Sequence, residues 1–222
     1  YPSTTVAALT AIESGYSPTE TGWIGWDLYF DEIGENVTVF KNALQRNGEP
    51  AAKYNVPFKY IPYKRIFQRI EAVRGKKTAY CVSAFSKYRS KSVHHICKTV
   101  YRLSKRRKQK YIYSYWHQPD NIMHLYGVNS TQAKNEVKMI NKEVEKLCKK
   151  LKNSLVIITA DHGQLDCVNE YLEDYPVLTD MLKVPPSIEP RALSFFVKDG
   201  KAEAFKEDFN KTFGDFFRLM TK

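Results

Sequence analysis

The sequence is poor in the features that staple, anchor or repeat a chain. Its four cysteines, Cys81, Cys97, Cys148 and Cys167, stand far apart, with no CxxC pair and no compact framework. Reduced thiols are therefore expected, and with them a cytoplasmic location. No apolar run reaches the length that crosses a bilayer, and no signal peptide is visible, so no membrane span is expected. Internal repeats and low-complexity linkers are also absent, which leaves residues 1–222 as a single domain with a small insertion around 41–62, where the pattern is irregular. There is no initiator Met, and Tyr1-Pro2-Ser3-Thr4-Thr5 reads as the interior of a longer protein.

What is present is a core-forming, basic chain. Hydrophobic residues make up 43% of it, enough for one sizeable α/β domain. A net charge of +11 and a pI near 9.3 favour anionic partners, whether phosphorylated small molecules, nucleic acid or an anionic surface.

The periodicities alternate between helix and strand. Val6, Leu9 and Ile12 share one face of a short helix that begins at Ser3-Thr4-Thr5 and stops at Gly15. Residues 16–30 form an aromatic, Gly/Pro-punctuated loop, either a binding wall or a plug on the core. Strands are expected at 37–40, 78–82, 111–116, 155–158 and 192–197, and helices at 63–73, 92–105 and 130–151. Phe205, Phe209, Phe213, Phe216 and Phe217 suggest a closing helix with a phenylalanine core. The sum is an α/β fold with a mostly parallel sheet sandwiched by helices. His94 and His95 fall on a helix away from any strand end and read as structural or exposed. The run Lys105-Arg106-Arg107-Lys108-Gln109-Lys110 follows that helix and reads first as a solvated, dipole-favoured end.

Three places carry candidate chemistry. The hydroxyls of Ser3, Thr4 and Thr5 stand at a helix N-terminus, where they are either ordinary caps or neighbours of a bound phosphate. Asp120 and His124 are four apart just after the strand at 111–116, so one helical turn points both to one face. Asp161 and His162 follow the apolar run Leu155-Val156-Ile157-Ile158, as a hydrogen-bonded turn or as cation ligands. The helix at 130–151 joins the strands at 111–116 and 155–158 as a βαβ unit, so the two strands are expected to be parallel and both acid–imidazole pairs to leave the same sheet edge. That combination suits a two-metal phosphoryl-transfer site.

Together the three motifs resemble the alkaline phosphatase superfamily, in its type I phosphodiesterase / nucleotide pyrophosphatase branch. The resemblance covers Tyr1 to Thr5 with its helix, Tyr115-Trp116-His117-Gln118-Pro119-Asp120 through His124 and Gly127, and Thr159-Ala160-Asp161-His162-Gly163. It implies an alkaline-phosphatase-like core, with Thr5 as the nucleophile that becomes phosphorylated. It also implies that Asp120 and His124 hold one divalent metal and Asp161 and His162 the other, zinc in the main and manganese or magnesium in some branches. Family members carry a further aspartate ligand before the nucleophile and a histidine ligand near the C-terminus. No histidine follows His162 and the chain opens at Tyr1, so a fragment incomplete at both ends is expected. Where nucleotide pyrophosphatases place an asparagine that donates to the phosphoryl oxygen, this sequence has Trp26, followed by Asp27, and both are candidate substrate contacts. The Cys-x-Pro-x-Arg nucleophile motif of sulfatases is absent.

The expected function is therefore metal-dependent hydrolysis of phosphodiester or pyrophosphate bonds in nucleotide-like substrates through a phospho-threonine. A phosphomonoesterase or mutase of the same superfamily, and a non-catalytic anion- or nucleic-acid-binding module, are the alternatives.

Overall fold

The computed structural model describes residues 3–221. In chain order the elements are α1 (Thr5–Ser14), α2 (Pro18–Thr21), β1 (Asp27–Phe30), β2 (Glu35–Thr38), β3 (Ala43–Leu44), α3 (Val56–Tyr60), α4 (Ile66–Arg74), β4 (Ala79–Val82) and α5 (Val93–Ser104). There follow β5 (Tyr111–Ser114), α6 (Asp120–Tyr126), α7 (Thr131–Lys150), a 3-10 turn at Leu172–Asp174, α8 (Pro176–Thr179), β6 (Ser187–Glu189), β7 (Ala192–Ser194) and α9 (Ala202–Phe213). The chain divides into two compact units. One comprises the stretch through Ile12, Tyr16–Tyr63 and the chain from Val168 on; the other comprises Glu13–Gly15 and Lys64–Cys167.

In the first unit a five-stranded sheet runs β3-β2-β1-β6-β7, every neighbour antiparallel. Gly34, at φ +67°, closes the β1–β2 hairpin. Val6 of α1 packs with Trp23, Leu28, Phe30, Val37, Val39 and Val56. Trp23 is fully buried against Phe58 and Tyr63, and its indole N–H donates to the Ile61 carbonyl at 2.8 Å. Of the two readings of the aromatic loop, Trp23 thus takes the core plug. Ser17 and Glu20 form a reciprocal capping box that starts α2. A second core joins Leu178, Met181 and Leu182 to Phe205, Phe209 and Phe213 of α9. The phenylalanine stripe is core as expected over those three positions, whereas Phe216 and Phe217, which follow the end of α9 at Phe213, are exposed.

In the second unit β4 and β5 pair in parallel, Ala79 opposite Tyr111, joined through α5. Ser92 caps α5, whose apolar side buries Val93, Ile96, Cys97 and Leu103. Ser130 caps α7 through the Ala133 N–H. Among the described residues no cysteine forms a disulfide.

Two expectations about the sheet need correction. The expected mostly parallel sheet is confined to the β4–β5 pair, and the larger sheet is antiparallel. The run Leu155-Val156-Ile157-Ile158 is not a buried strand: it pairs with no strand among the described residues, and Leu155 and Ile157 are 87% and 79% exposed. Aliphatic character signals burial only where a neighbour takes the backbone N–H and C=O groups and another layer covers the side chains. Here β4 and β5 form a two-stranded sheet, and no further strand pairs with either among the described residues. The apolar stripe of α7 is correspondingly half-covered, with Val137 exposed and Ala133 its one buried residue.

Candidate active site

Thr5 is the first residue of α1 and is half-buried. Thr4 before it is 5% exposed, and its hydroxyl donates to Glu189 Oε1 at 2.5 Å. The same oxygen accepts the Trp26 backbone N–H at 3.0 Å. One carboxylate therefore ties the residue before α1 to the residue before β1. Glu189 reaches this place through β6, where Ile188 has φ +78°, a left-handed conformation that a β-branched side chain adopts only under constraint. Gly25 permits the approach: a Cβ on it would lie 2.5 Å from the Ile188 carbonyl oxygen. Sequence reasoning missed Glu189. Its one signal is an acid between prolines in Pro185-Pro186-Ser187-Ile188-Glu189-Pro190, which says nothing of its partners.

The two candidate substrate contacts lie beside it. Trp26 is half-buried, with Phe40 edge-on at 5.6 Å. Asp27 opens β1, and its Oδ1 accepts the Thr38 hydroxyl at 2.5 Å across the hairpin. That bond occupies one carboxylate oxygen with a structural task.

In the second unit, Asp120 is the first residue of α6 and His124 follows one turn later, Nε2 to Oδ1 at 3.5 Å. Gln118 Oε1 accepts the Ile122 N–H and holds the start of this helix. Asp161 and His162 lie on an irregular segment, with His162 Nε2 3.8 Å from Asp161 Oδ2. The expected strand before them is missing, so local bonds fix them instead. The His162 N–H donates to Asp161 Oδ1 at 3.2 Å, and His162 Nδ1 lies 2.9 Å from the Gly163 carbonyl oxygen. Asp166 Oδ1 accepts the Val128 N–H at 3.0 Å, which ties the segment to the link between α6 and α7. Gly127 at φ +86° leaves room for that carboxylate.

The two pairs meet electrostatically at Tyr115. Burial is the main reason that its phenol is pushed far above the ordinary tyrosine value, and the negative charges of Asp161 and then Asp120 push it the same way. Neither carboxylate has a lysine or arginine partner among the described residues. On this strand–loop, His117 keeps Nδ1 buried with no hydrogen-bond partner, between Trp116 and Phe85.

Oxygen from Asp and nitrogen from His are the donors that zinc and similar divalent cations take, so the chemistry of the four residues fits such an ion. The pairs are two-donor sets. Among the described residues no group of three or more His, Cys, Asp and Glu side chains is gathered for a metal.

Comparison with known families places this arrangement. A family model described as type I phosphodiesterase / nucleotide pyrophosphatase matches residues 1–186, a range that includes Thr5, Trp26 and both acid–imidazole pairs. No curated protein matches the chain.

Proposed function

We propose, since the chain belongs to the type I phosphodiesterase / nucleotide pyrophosphatase family, that it is a metal-dependent phosphoesterase acting on phosphodiester or pyrophosphate bonds of nucleotide-like substrates. The observation that carries the finer part of this reading is that Asp120 and Asp161 each stand beside an imidazole, His124 Nε2 3.5 Å from Asp120 Oδ1 and His162 Nε2 3.8 Å from Asp161 Oδ2, and that neither has a lysine or arginine partner among the described residues. A carboxylate beside an imidazole supplies the oxygen and nitrogen donors that a divalent cation takes.

In this reading Asp120 and His124 hold one cation, and Asp161 and His162 the other. When bound, such ions acidify a hydroxyl or water and neutralise phosphoryl charge. Thr5 Oγ attacks phosphorus and gives its proton to solvent as the bond to the leaving oxygen breaks, and the leaving group takes up a proton from solvent. Water then attacks the phosphorus of phospho-Thr5, the Oγ–P bond breaks, the phosphoryl group leaves with the water oxygen, and Thr5 regains its hydroxyl proton. The N–H groups of the first turn of α1 and its dipole favour the phosphoryl oxygens at that position. Trp26 presents an aromatic face to the substrate, and the Asp27 oxygen not used by Thr38 is available to a substrate donor.

The test is hydrolysis of bis-p-nitrophenyl phosphate and p-nitrophenyl phosphate with zinc or manganese, beside Thr5→Ala and Asp161→Asn. Chelator-sensitive turnover of the diester, lost in both variants, is the expected result. Preference for the monoester would move the protein to the phosphomonoesterases. Turnover that survives Thr5→Ala would remove the phospho-threonine.

A further inference from the structure

The excess of positive over negative charge in this protein is confined to one stretch. Residues 72–119 contain thirteen lysines and arginines and no aspartate or glutamate, while the rest of the chain holds 22 cations and 24 acids. The whole excess of +11 therefore lies in the second unit, on α5 and the segments around it. A solvated surface ordinarily mixes signs, because like charges repel and opposite charges screen one another. The rest of this chain does so: Lys146 pairs with Glu143, Lys149 with Glu145, Lys183 with Asp199 and Arg46 with Glu35. None of the thirteen cations is in an ion pair with an acid among the described residues. Glu143 is the acid of α7 that faces α5, and His94 and Lys146 already engage it.

The fold turns this composition into a face. His95, Lys98, Arg102 and Lys105 recur at steps of three and four, so they form one exposed stripe along a helix of about 18 Å. The opposite side is buried. With Thr99 and Tyr101 the stripe lines a shallow cavity of about 400 Å³. Lys105 Nζ stands 4.5 Å over the Tyr101 ring, an aromatic surface beside the cations. Arg106, Arg107 and Lys108 extend the charge into the next turn, all exposed. Helix-dipole compensation accounts for cations in the last turn of α5, and for neither Lys98 nor Arg107 and Lys108 beyond it.

We propose that this face binds the phosphate backbone of a nucleic acid, as a site separate from the acid–imidazole pairs. Charge complementarity selects a polyanion, and the apolar content selects among polyanions. No large hydrophobic side chain between Phe85 and Leu125 is exposed, so α5 and its turn have nothing to insert among lipid tails. Backbone phosphates need cations and a stacking ring, and the stripe offers both.

The experiment is fluorescence anisotropy of a labelled twelve-nucleotide oligouridine with the full chain in excess EDTA, from 50 to 300 mM salt. The variants are the charge reversal Lys98→Glu/Arg102→Glu/Lys105→Glu, its neutral form with Gln at the three positions, and Lys138→Glu/Lys142→Glu/Lys150→Glu on α7 as a control of equal charge change. Four phosphate contacts to a single strand give a log–log salt slope of about −3. The α5 reversal is expected to weaken binding at least tenfold at 50 mM salt and to flatten the slope by about 2, the Gln form to act in the same direction, and the α7 control to lose less than threefold. Equal loss in the α7 control, or a slope near zero in the native chain, overturns the proposal. Binding to phosphatidylserine vesicles that depends on the α5 cations, without binding of oligouridine, replaces it with a lipid-surface role.

Discussion

Replacing Tyr113 by phenylalanine is expected to stabilise the protein. The hydroxyl of Tyr113, on β5, is sealed from solvent and has no hydrogen-bond partner. A buried unpaired hydroxyl costs about 1–3 kcal/mol relative to leaving it in water. Deleting the oxygen leaves a void of roughly 10–20 Å³, which at about 24 cal/mol per Å³ returns a few tenths of a kcal/mol. The net gain is about 1 kcal/mol, or a Tm higher by about 2–4 °C in a chain of this size.

The same phenol supplies a second signature. Burial first, then negative charge at Glu13, Cys81, Tyr115 and Tyr111, pushes its pKa well above the ordinary tyrosine value. The unfolded phenol ionises near pH 10, by roughly the model-peptide value. The folded value is raised, so the stability this group contributes is complete below about pH 10 and is lost as pH climbs toward the folded value. Native protein therefore unfolds more easily with each step above pH 10. Tyr113→Phe has one fewer such group, and its alkaline slope is shallower by up to about 1.4 kcal/mol per pH unit. Urea melts at pH 7, 10 and 11 read both effects. A variant less stable than the native chain at pH 7, or an unchanged alkaline slope, would refute the reasoning.

Four further outcomes follow from the geometry. Gly25→Ala sets a Cβ against the Ile188 backbone and breaks the bond from the Trp26 N–H to the Ile188 carbonyl, costing about 1–3 kcal/mol in a urea melt. Glu189→Ala deprives the Thr4 hydroxyl and the Trp26 N–H of their shared acceptor and costs about 1–3 kcal/mol; under the proposed function it also lowers phosphodiester turnover, because Thr4 adjoins Thr5. Phe209→Ala opens the α8–α9 core and costs about 3–5 kcal/mol by thermal melting. Leu155→Ser, at a side chain 87% exposed, changes stability by less than about 0.5 kcal/mol, and a loss of several kcal/mol would return residues 155–158 to the interior.

What the sequence reveals depends on whether a residue's partner is near in the chain. The stripes of α5 and α9 encode their own buried side, and both helices stand where periodicity puts them. Asp120 and His124 are legible because a single helical turn brings them together. The run at 155–158 has the composition of a strand, but composition does not name the strand that must pair with it, and none does among the described residues. Glu189 is the converse case. Its partners Thr4 and Trp26 are far away in sequence, and the turn that aims it depends on a left-handed isoleucine that no propensity predicts.

That contrast bears on how each acid–imidazole pair is held. Asp120 and His124 sit on a helix whose backbone fixes their spacing before any ligand arrives. Asp161 and His162 sit on an irregular segment with no helical or strand backbone ladder, where the bonds that hold them include the His162 N–H to Asp161 and the Val128 N–H to Asp166. A cation bound between an acid and an imidazole adds constraints that the helix already has and the segment lacks. Under the proposed function, metal binding should therefore order the segment at 159–166 more than α6. Hydrogen exchange with and without zinc separates the two: amide protection that rises around His162 and stays level through α6 is the expected pattern, and equal protection in both would mean that the segment is already as rigid as the helix.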